Sequence, residues 1–139
     1  MRVGLISCCK EKLDHAAPAE ELYCSSFFKL SKAWIKKRVK EWGILSAEHG
    51  LVMPDQVIEP YDRKLTDLPR LQRERWNDYV HEQLVDKWGE DVTYVIVAGA
   101  EYRKALMLMP HVEDVISSWG ASGIGVIKKY LKEDRAYGS

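Results

Sequence analysis

Apolar residues in this chain are grouped in short runs that polar, turn-forming segments separate. Residues 2–8 (RVGLISC) and 42–47 (WGILSA) form brief runs rich in small and branched residues, which is typical of buried strands. A third run, residues 91–99 (DVTYVIVAG), is apolar on both faces, as parallel strands covered by helices are. The pattern therefore predicts three core strands.

Residues with helical spacing lie between these runs. A cap at Ser25 or Ser26 predicts a helix that runs to about Glu41. Its apolar face is expected to hold Phe27, Leu30, Trp34 and Val39. Residues 66–88 predict a long amphipathic helix with Pro69 in its first turn, and residues 101–109 predict a shorter helix ended by Pro110.

The remaining segments are less regular. Residues 10–20 and 48–62 are expected to be loops, because proline, glycine and polar residues interrupt them. Residues 111–119 fit either a strand or a helix, and residues 121–134 predict a glycine-rich turn followed by a helix.

Strands that alternate with helices indicate a three-layer α/β domain with a mostly parallel central sheet, here one domain over residues 1–139. Ligands bind such sheets beyond the carboxyl ends of the strands. Those ends carry SCCKEK (7–12), SAEHG (46–50) and AGAEY (98–102). We therefore expect these three polar segments to share one edge of the sheet and to form the site.

Composition excludes several classes of protein. Hydrophobic residues make up 46% and charged residues 30% of the chain, which is ordinary for a folded globular protein. The longest apolar run, YVIVAGA, is too short to cross a bilayer, and no secretory leader is evident, so we expect a cytoplasmic protein without membrane contact. The 21 basic and 21 acidic residues cancel, so any electrostatic footprint for nucleic acid must be local.

Known catalytic and metal-binding patterns are missing. Three cysteines, Cys8, Cys9 and Cys24, do not make an even disulfide framework, and their spacing does not match a zinc site. No GxSxG elbow and no GxxxxGK[ST] loop is present, which argues against common hydrolases and NTPases. The sequence predicts neither a metal nor a cofactor.

The first candidate segment combines Cys8, Lys10 and Lys12 after the first strand. A lysine there can hold a phosphate or, if desolvated, act as an amine nucleophile. Cys8 can act as a nucleophile only if its thiolate is stabilised, and the positive charges of the nearby lysines can stabilise it. The alternative is that Cys8 is a small core residue and the lysines are solvated.

The second candidate segment places Ser46 and His49 at the end of a strand, followed by Asp55, Glu59 and Asp62. His49 can move protons near neutral pH or orient a phosphate, and the carboxylates can position water or face a developing positive charge. The alternative is that this segment only forms turns, but it is long and polar for a simple connection.

Other segments offer binding rather than chemistry. Lys29, Lys32, Lys36 and Lys40 have helical spacing and form a basic stripe suited to a nucleic-acid backbone, or simply a solvated face. Gly99 permits close approach of a ligand to its strand end, with Tyr102 in the next helical turn. The late GASGIG is weak as a dinucleotide signature and is at most a backbone anion site.

The sequence resembles the DUF6884 family of small bacterial, archaeal and phage proteins. The resemblance is carried by LISCCKEKLDHAAPAEELYCSSFF, ILSAEHGLVMPDQVIEPYD, VAGAEYRKAL and the late GIG. The matching positions are Cys8, Lys10, Lys12, Tyr23, Ser25, Ser46, His49, Gly50, Leu51, Pro54, Tyr61, Asp62, Gly99 and Tyr102. Glu48 departs from the pattern, since relatives often carry lysine there. The family is similar in turn to the core domain of archaeosine synthase and to YaaA-like proteins, which implies work on modified nucleobases.

This resemblance leads to three hypotheses. The first is a DNA glycosylase that excises a modified base from DNA or, less expectedly, from RNA. Asp62 or Glu59 would face the sugar cation, His49 would assist proton transfer, and Lys10 or Lys12 could instead form a Schiff base. The base would stack on the ring of Tyr23, Tyr61 or Tyr102, and its polar edge would be bound by Cys8, Ser25, Ser46 and Gly99. The phosphates would be held by the lysines, which are Lys10, Lys12, Lys29, Lys32 and Lys36. The second is a base-modifying transferase that uses Lys12 or Cys8, and the third is a non-catalytic DNA-binding module.

Overall fold

The structure, a computed structural model, describes residues 1–137 and is built around one five-stranded sheet. The strands are β1 (Arg2–Ser7), β2 (Ala17–Pro18), β3 (Glu41–Ser46), β4 (Gly50–Val52), β5 (Val57–Ile58), β6 (Thr93–Val97) and β7 (Val112–Asp114). The helices are α1 (Ala19–Leu22), α2 (Ser26–Lys36), α3 (Arg70–Trp88), α4 (Ala100–Leu106), α5 (Val115–Trp119) and α6 (Ile124–Lys132). A 3-10 turn at Leu65–Asp67 precedes α3.

The central sheet has the strand order β4-β3-β1-β6-β7. β1 lies between β3 and β6 and runs parallel to both, β7 continues the parallel set, and β4 is antiparallel at the far edge. β2 and β5 form a separate two-stranded ladder. The prediction of a three-layer α/β domain with a mostly parallel sheet is confirmed.

Side chains that alternate along the strands fill the two layers beside the sheet. On one face, Ile6 and Ile44 pack with Trp34 of α2 and with residues of α5 and α6. On the other face, Leu5 and Ile96 pack with residues of α3 and α4. Each large aliphatic side chain buried in this way contributes about 1.5–3 kcal/mol of folding free energy relative to an exposed one. Both layers therefore stabilise the packing of the sheet against its helices.

The order of the strands creates a crevice at the carboxyl edge of the sheet. The chain passes from β1 to β3 on one side and then returns across the sheet to β6 on the other side of β1. Such a reversal leaves a crevice between the ends of the two strands, and ligands bind there in open parallel sheets. The backbone N–H of Gly99 donates to Ser7 Oγ at 3.1 Å and ties the ends of β1 and β6 together.

The predicted boundary of the second helix is wrong. α2 ends at Lys36, so Val39 is not on a helical face, and Glu41 already lies in β3 opposite Val3 of β1. The helix stops because the Arg38 guanidinium donates to the carbonyl of Trp34 at 3.0 Å and pairs with Asp134 at 2.7 Å. These bonds hold the chain in a turn.

Two other helices differ from their predicted bounds. Pro69 is the N-cap of α3 and not a first-turn residue, because its own backbone is extended, with a ψ of 154°, and helical backbone begins at Arg70. α4 covers residues 100–106 and stops before Met109, whose N–H closes a turn onto the carbonyl of Leu106.

The expected loops contain short regular elements. Residues 10–20 include β2 and the start of α1, and residues 48–62 include β4 and β5. The ambiguous residues 111–119 form both a strand and a helix, and residues 121–134 turn into α6 as expected. Among residues 1–137, no helix has the length and apolar character needed to span a membrane.

Candidate functional site

A pocket of about 280 Å³ opens between the carboxyl ends of β1 and β6. The segment that follows β1, the start of α4 and the 3-10 turn with the residues before it form its walls. The lining residues are Cys8, Cys9, Lys10, Lys12, Asp62, Arg63, Lys64, Leu65, Thr66, Gly99, Ala100, Glu101 and Tyr102. Six of the residues predicted for the site thus lie around one cavity: Cys8, Lys10, Lys12, Asp62, Gly99 and Tyr102.

Cys8 and Tyr102 meet at the floor of this pocket. Cys8 Sγ lies 3.1 Å from the Tyr102 hydroxyl, and the Cys8 N–H continues the strand ladder by donating to the carbonyl of Leu45. The Tyr102 ring packs edge-on against Trp76 of α3, with ring centroids 5.7 Å apart. Burial, followed by the nearby Cys8, raises the pKa of Tyr102, so its hydroxyl stays neutral and can donate a hydrogen bond.

A chain of hydroxyl groups lies beside Cys8. Ser46 Oγ accepts the backbone N–H of Glu48 at 3.2 Å and that of His49 at 3.0 Å. Because a hydroxyl has two acceptor positions and one donor, Ser46 must donate its proton to the Tyr61 hydroxyl, 2.7 Å away. Tyr61 is in turn bonded to the Tyr23 hydroxyl at 2.6 Å.

Tyr23 and Tyr61, the two tyrosines of this row of hydroxyl groups, are neutral over the physiological pH range. Burial and the nearby Cys8 raise the pKa of both Tyr23 and Tyr61. Their hydroxyls share a single hydrogen bond, while Tyr61 also accepts the proton of Ser46. One of the two phenolic protons therefore remains free for a further acceptor beside the pocket.

Lys12 is held against these tyrosines. Its Nζ lies 4.4 Å from the centroid of the Tyr61 ring and 5.8 Å from that of Tyr23, and it also donates to the carbonyl of Lys10 at 3.3 Å. A backbone bridge between Lys12 and Tyr23 fixes its position. The ammonium is thus half-buried over aromatic faces, which favours a fixed cation at the pocket wall.

Cys9 and Ser25 have structural tasks. Cys9 Sγ donates to the carbonyl of Glu11 at 3.1 Å, and burial raises the pKa of the Cys9 thiol, which disfavours the nucleophilic thiolate. Ser25 is the N-cap of α2, and its Oγ accepts the N–H of Phe28 at 3.1 Å. All three cysteines are free thiols.

The structure places the three residues predicted for acid–base chemistry, Asp62, His49 and Glu59, in different positions relative to the pocket. Asp62 is exposed and lines the pocket, and among residues 1–137 it forms no ion pair within 4 Å. His49 is exposed and stands edge-on to the Tyr61 ring, with centroids 5.5 Å apart, outside the lining. Glu59 is also exposed and outside the lining. Among residues 1–137, only Asp62 brings a carboxylate without an ion-pair partner to the cavity.

The pocket wall carries more positive than negative side chains. Lys10, Lys12, Arg63 and Lys64 face two carboxylates, Asp62 and Glu101. Glu101 is already paired with Arg73 at 3.6 Å and with Lys104 at 3.7 Å. Arg63 pairs at 3.5 Å with the carboxylate of Glu48.

Sequence reasoning missed Arg63, Lys64 and the apolar wall at Leu65. Arg63 and Lys64 directly follow Asp62 in the sequence, so their charge next to a candidate carboxylate was an available signal. Their place in the cavity depends on the 3-10 turn, which the sequence pattern assigned in part to the following helix.

The predicted basic stripe is divided. Lys32 Nζ donates to the carbonyl of Glu20 at 3.1 Å, and Lys36 lies 3.8 Å from the Glu20 carboxylate. Lys40 lies beyond the end of α2, whereas Lys29 lines a separate groove. Across the described part of the chain, no group of three or more histidine, cysteine, aspartate or glutamate side chains is arranged to hold a metal ion.

Comparison with known proteins identifies the family. Residues 3–133 match the family described as "Family of unknown function (DUF6884)", so the chain belongs to that family. The chain is 29% identical over 143 residues to "Uncharacterized protein YfjM" of Bacillus subtilis (strain 168), with 94% of this chain and 92% of the relative covered. No solved structure gives a significant match.

Proposed function

Since the family has no established function, we propose from the site itself that this protein is a DNA glycosylase that cleaves the N-glycosidic bond of a modified nucleobase. The observation that supports this most directly is Asp62. It is the one carboxylate of the pocket, among the described residues, that has no ion-pair partner, and it lies among Lys10, Lys12 and Lys64.

The size and position of the cavity suit a single extruded nucleotide. A volume of about 280 Å³ is at the lower end of the range for small-molecule pockets, so it accommodates a base with part of its sugar and not a longer ligand. A base inside a duplex is inaccessible to an enzyme until it is flipped out of the stack. The neutral hydroxyl of Tyr102 and the side chain of Cys8, which lie together at the floor, would then contact the polar edge of the base.

The proposed reaction uses Asp62 at the sugar. As the bond between C1′ and the base nitrogen breaks, its electron pair leaves with the base and the sugar acquires oxocarbenium character. The Asp62 carboxylate stabilises that cation and takes a proton from the water whose oxygen bonds to C1′. The departing base takes up one proton from solvent, and Asp62 afterwards returns its proton to solvent. The lysines at the pocket wall hold the flanking phosphates.

The test is base release from DNA. The wild-type protein is incubated with phage DNA that carries hypermodified bases, released bases are identified by mass spectrometry, and abasic sites are counted. We expect Asp62→Asn to lower the rate about 10²- to 10⁴-fold, the usual contribution of an acid–base group, without weakening DNA binding. Glu59→Gln is the matched control, because Glu59 is on the same loop but outside the pocket, and it should keep the wild-type rate. An Asp62→Asn variant as active as wild type would remove Asp62 from the mechanism.

A second candidate function is a base-modifying transferase, and the contact between Cys8 and Tyr102 favours it. A thiol 3.1 Å from a neutral phenol in a pocket can form a covalent intermediate if its thiolate attacks the electrophilic atom of a group donor and displaces the donor's leaving group. The base then takes the group and displaces the thiolate. This function predicts a mass adduct on Cys8 that Cys8→Ser abolishes, and no abasic sites. An adduct trapped by borohydride on Lys10 or Lys12 would instead support the lysine version of the glycosylase, and its absence would exclude that version.

A further inference from the structure

A second charged surface lies beside the candidate pocket, between α2 and α6. It is a groove of about 610 Å³ whose walls carry four lysines. These are Lys29 from α2 and Lys128, Lys129 and Lys132 from α6, and we call this surface the lysine groove. Among residues 1–137, none of the four lies within 4 Å of a carboxylate.

The groove has a fixed shape. α6 packs on α2, and the chain after α6 is fastened to Trp34 of α2 and to Arg38, which lies just beyond the end of α2. Trp34 Nε1 donates to the carbonyl of Arg135 at 3.0 Å, and Arg38 pairs with Asp134 at 2.7 Å. The lysines are therefore presented on two helices whose separation is set by the core and not by flexible loops.

The groove and the pocket are joined by one short connection. Cys9 lines the pocket, and its Sγ and the N–H of Cys24 both donate to the carbonyl of Glu11. Cys24 directly precedes Ser25, the N-cap of α2. The next residue, Ser26, lines the groove. A nucleotide in the pocket would thus have its neighbouring phosphates close to the start of the groove.

We propose that the lysine groove binds the phosphate backbone of the nucleic acid whose base enters the pocket, an inference that rests on the proposed function. Four cations with no acidic partner complement a ligand with regularly repeated negative charge. The other residues that line the groove are Ser26, Leu30 and Gly125. The sequence-predicted stripe has a different composition, because Lys32 and Lys36 are directed to Glu20.

The salt dependence of DNA binding tests this assignment. Binding of the full-length protein to a fluorescent single-stranded oligonucleotide is measured by anisotropy over a series of salt concentrations. The affinity falls as salt is added, and the slope of log affinity against log salt measures the number of phosphate contacts. The double variant Lys129→Gln/Lys132→Gln should reduce the magnitude of this slope by about 1.4, because each lost phosphate contact removes about 0.7 for single strands. The matched control is Arg75→Gln/Lys87→Gln, which removes two exposed cations of α3 outside the groove and should leave the slope unchanged.

The outcomes separate the two proposals. Equal slopes for both double variants would overturn the groove assignment, while Asp62-dependent base release would still stand. Wild-type protein that binds polyglutamate through these lysines but not DNA would also overturn it. A smaller slope in the groove variant alone, with a circular dichroism spectrum like that of wild type, supports the groove assignment. Failure of Asp62→Asn to reduce base release, with the groove slope intact, would count against the glycosylase and not against the groove.

Discussion

Gly99 and Gly50 lie at the carboxyl edge of the sheet, but the structure requires glycine at only one of them. Gly50 has a φ of +74°, and a Cβ there would lie 2.3 Å from Gln83 Oε1, the atom that accepts the N–H of Leu51. Gly99 has an ordinary φ of −62°, and a Cβ there would meet only Tyr102, at 3.8 Å. Gly99 therefore keeps space open in the pocket, whereas Gly50 is needed by the backbone.

This difference predicts opposite effects for the same substitution. Gly99→Ala should unfold in urea at the wild-type midpoint but release base more slowly, since the added methyl group projects where the ligand approaches. Gly50→Ala should lose about 1–3 kcal/mol of unfolding free energy, from left-handed backbone strain and the disturbed bond of Gln83. A Gly99→Ala protein with wild-type turnover would show that the substrate does not approach this strand end.

At the scale of elements, the segment that carries Asp62 is fixed by its neighbours. β5 pairs with β2, the N–H of Ala19 donates to the carbonyl of Gln56, and that of Glu20 donates to the carbonyl of Pro54. Tyr61 then fastens the end of the segment to Ser46 of β3. The hydroxyl chain therefore positions the loop, and Asp62 follows the anchor directly.

We expect Tyr61→Phe to remove this anchor. The loss leaves the Ser46 proton and the Tyr23 hydroxyl without their partner, which costs about 1–3 kcal/mol of unfolding free energy. Tyr79→Phe is the control, because Tyr79 is half exposed on α3, and its cost should stay within about 0.5 kcal/mol. Urea denaturation of the two variants gives the comparison, and equal midpoints would show that the hydroxyl chain does not hold the loop.

The elements that sequence alone predicted are those set by local pattern. β1, β3 and β6 were predicted because each is a short apolar run, and their shared carboxyl edge followed from parallel topology. The end of α2 was not predicted correctly, because it depends on the pairing of Arg38 with Asp134, 96 residues further along the chain. The lysine groove was missed for the same reason, since only tertiary packing brings α6 beside Lys29.

At the scale of the whole molecule, the reversal of strand order gathers one buried and two partly buried tyrosines around one crevice. Tyr23, Tyr61 and Tyr102 come from three different segments, and burial, followed by the nearby Cys8, raises the pKa of each. Between about pH 10 and the raised values, the unfolded chain releases phenolic protons that the folded chain retains. Folding stability that is fully present below pH 10 must therefore decline as the pH rises above it.

This linkage predicts how the tyrosines titrate. The chain has seven tyrosines, and in denaturant we expect all seven to ionise near pH 10, as followed by the ultraviolet absorbance of tyrosinate. In the native protein, Tyr23, Tyr61 and Tyr102 should stay protonated until circular dichroism reports unfolding, because their ionisation requires the crevice to open. The urea midpoint should accordingly fall as the pH is raised beyond 10. If all seven tyrosines ionised near pH 10 in a protein that kept its native spectrum, the hydroxyl chain would be solvated, and burial would not raise the pKa of Tyr23, Tyr61 or Tyr102.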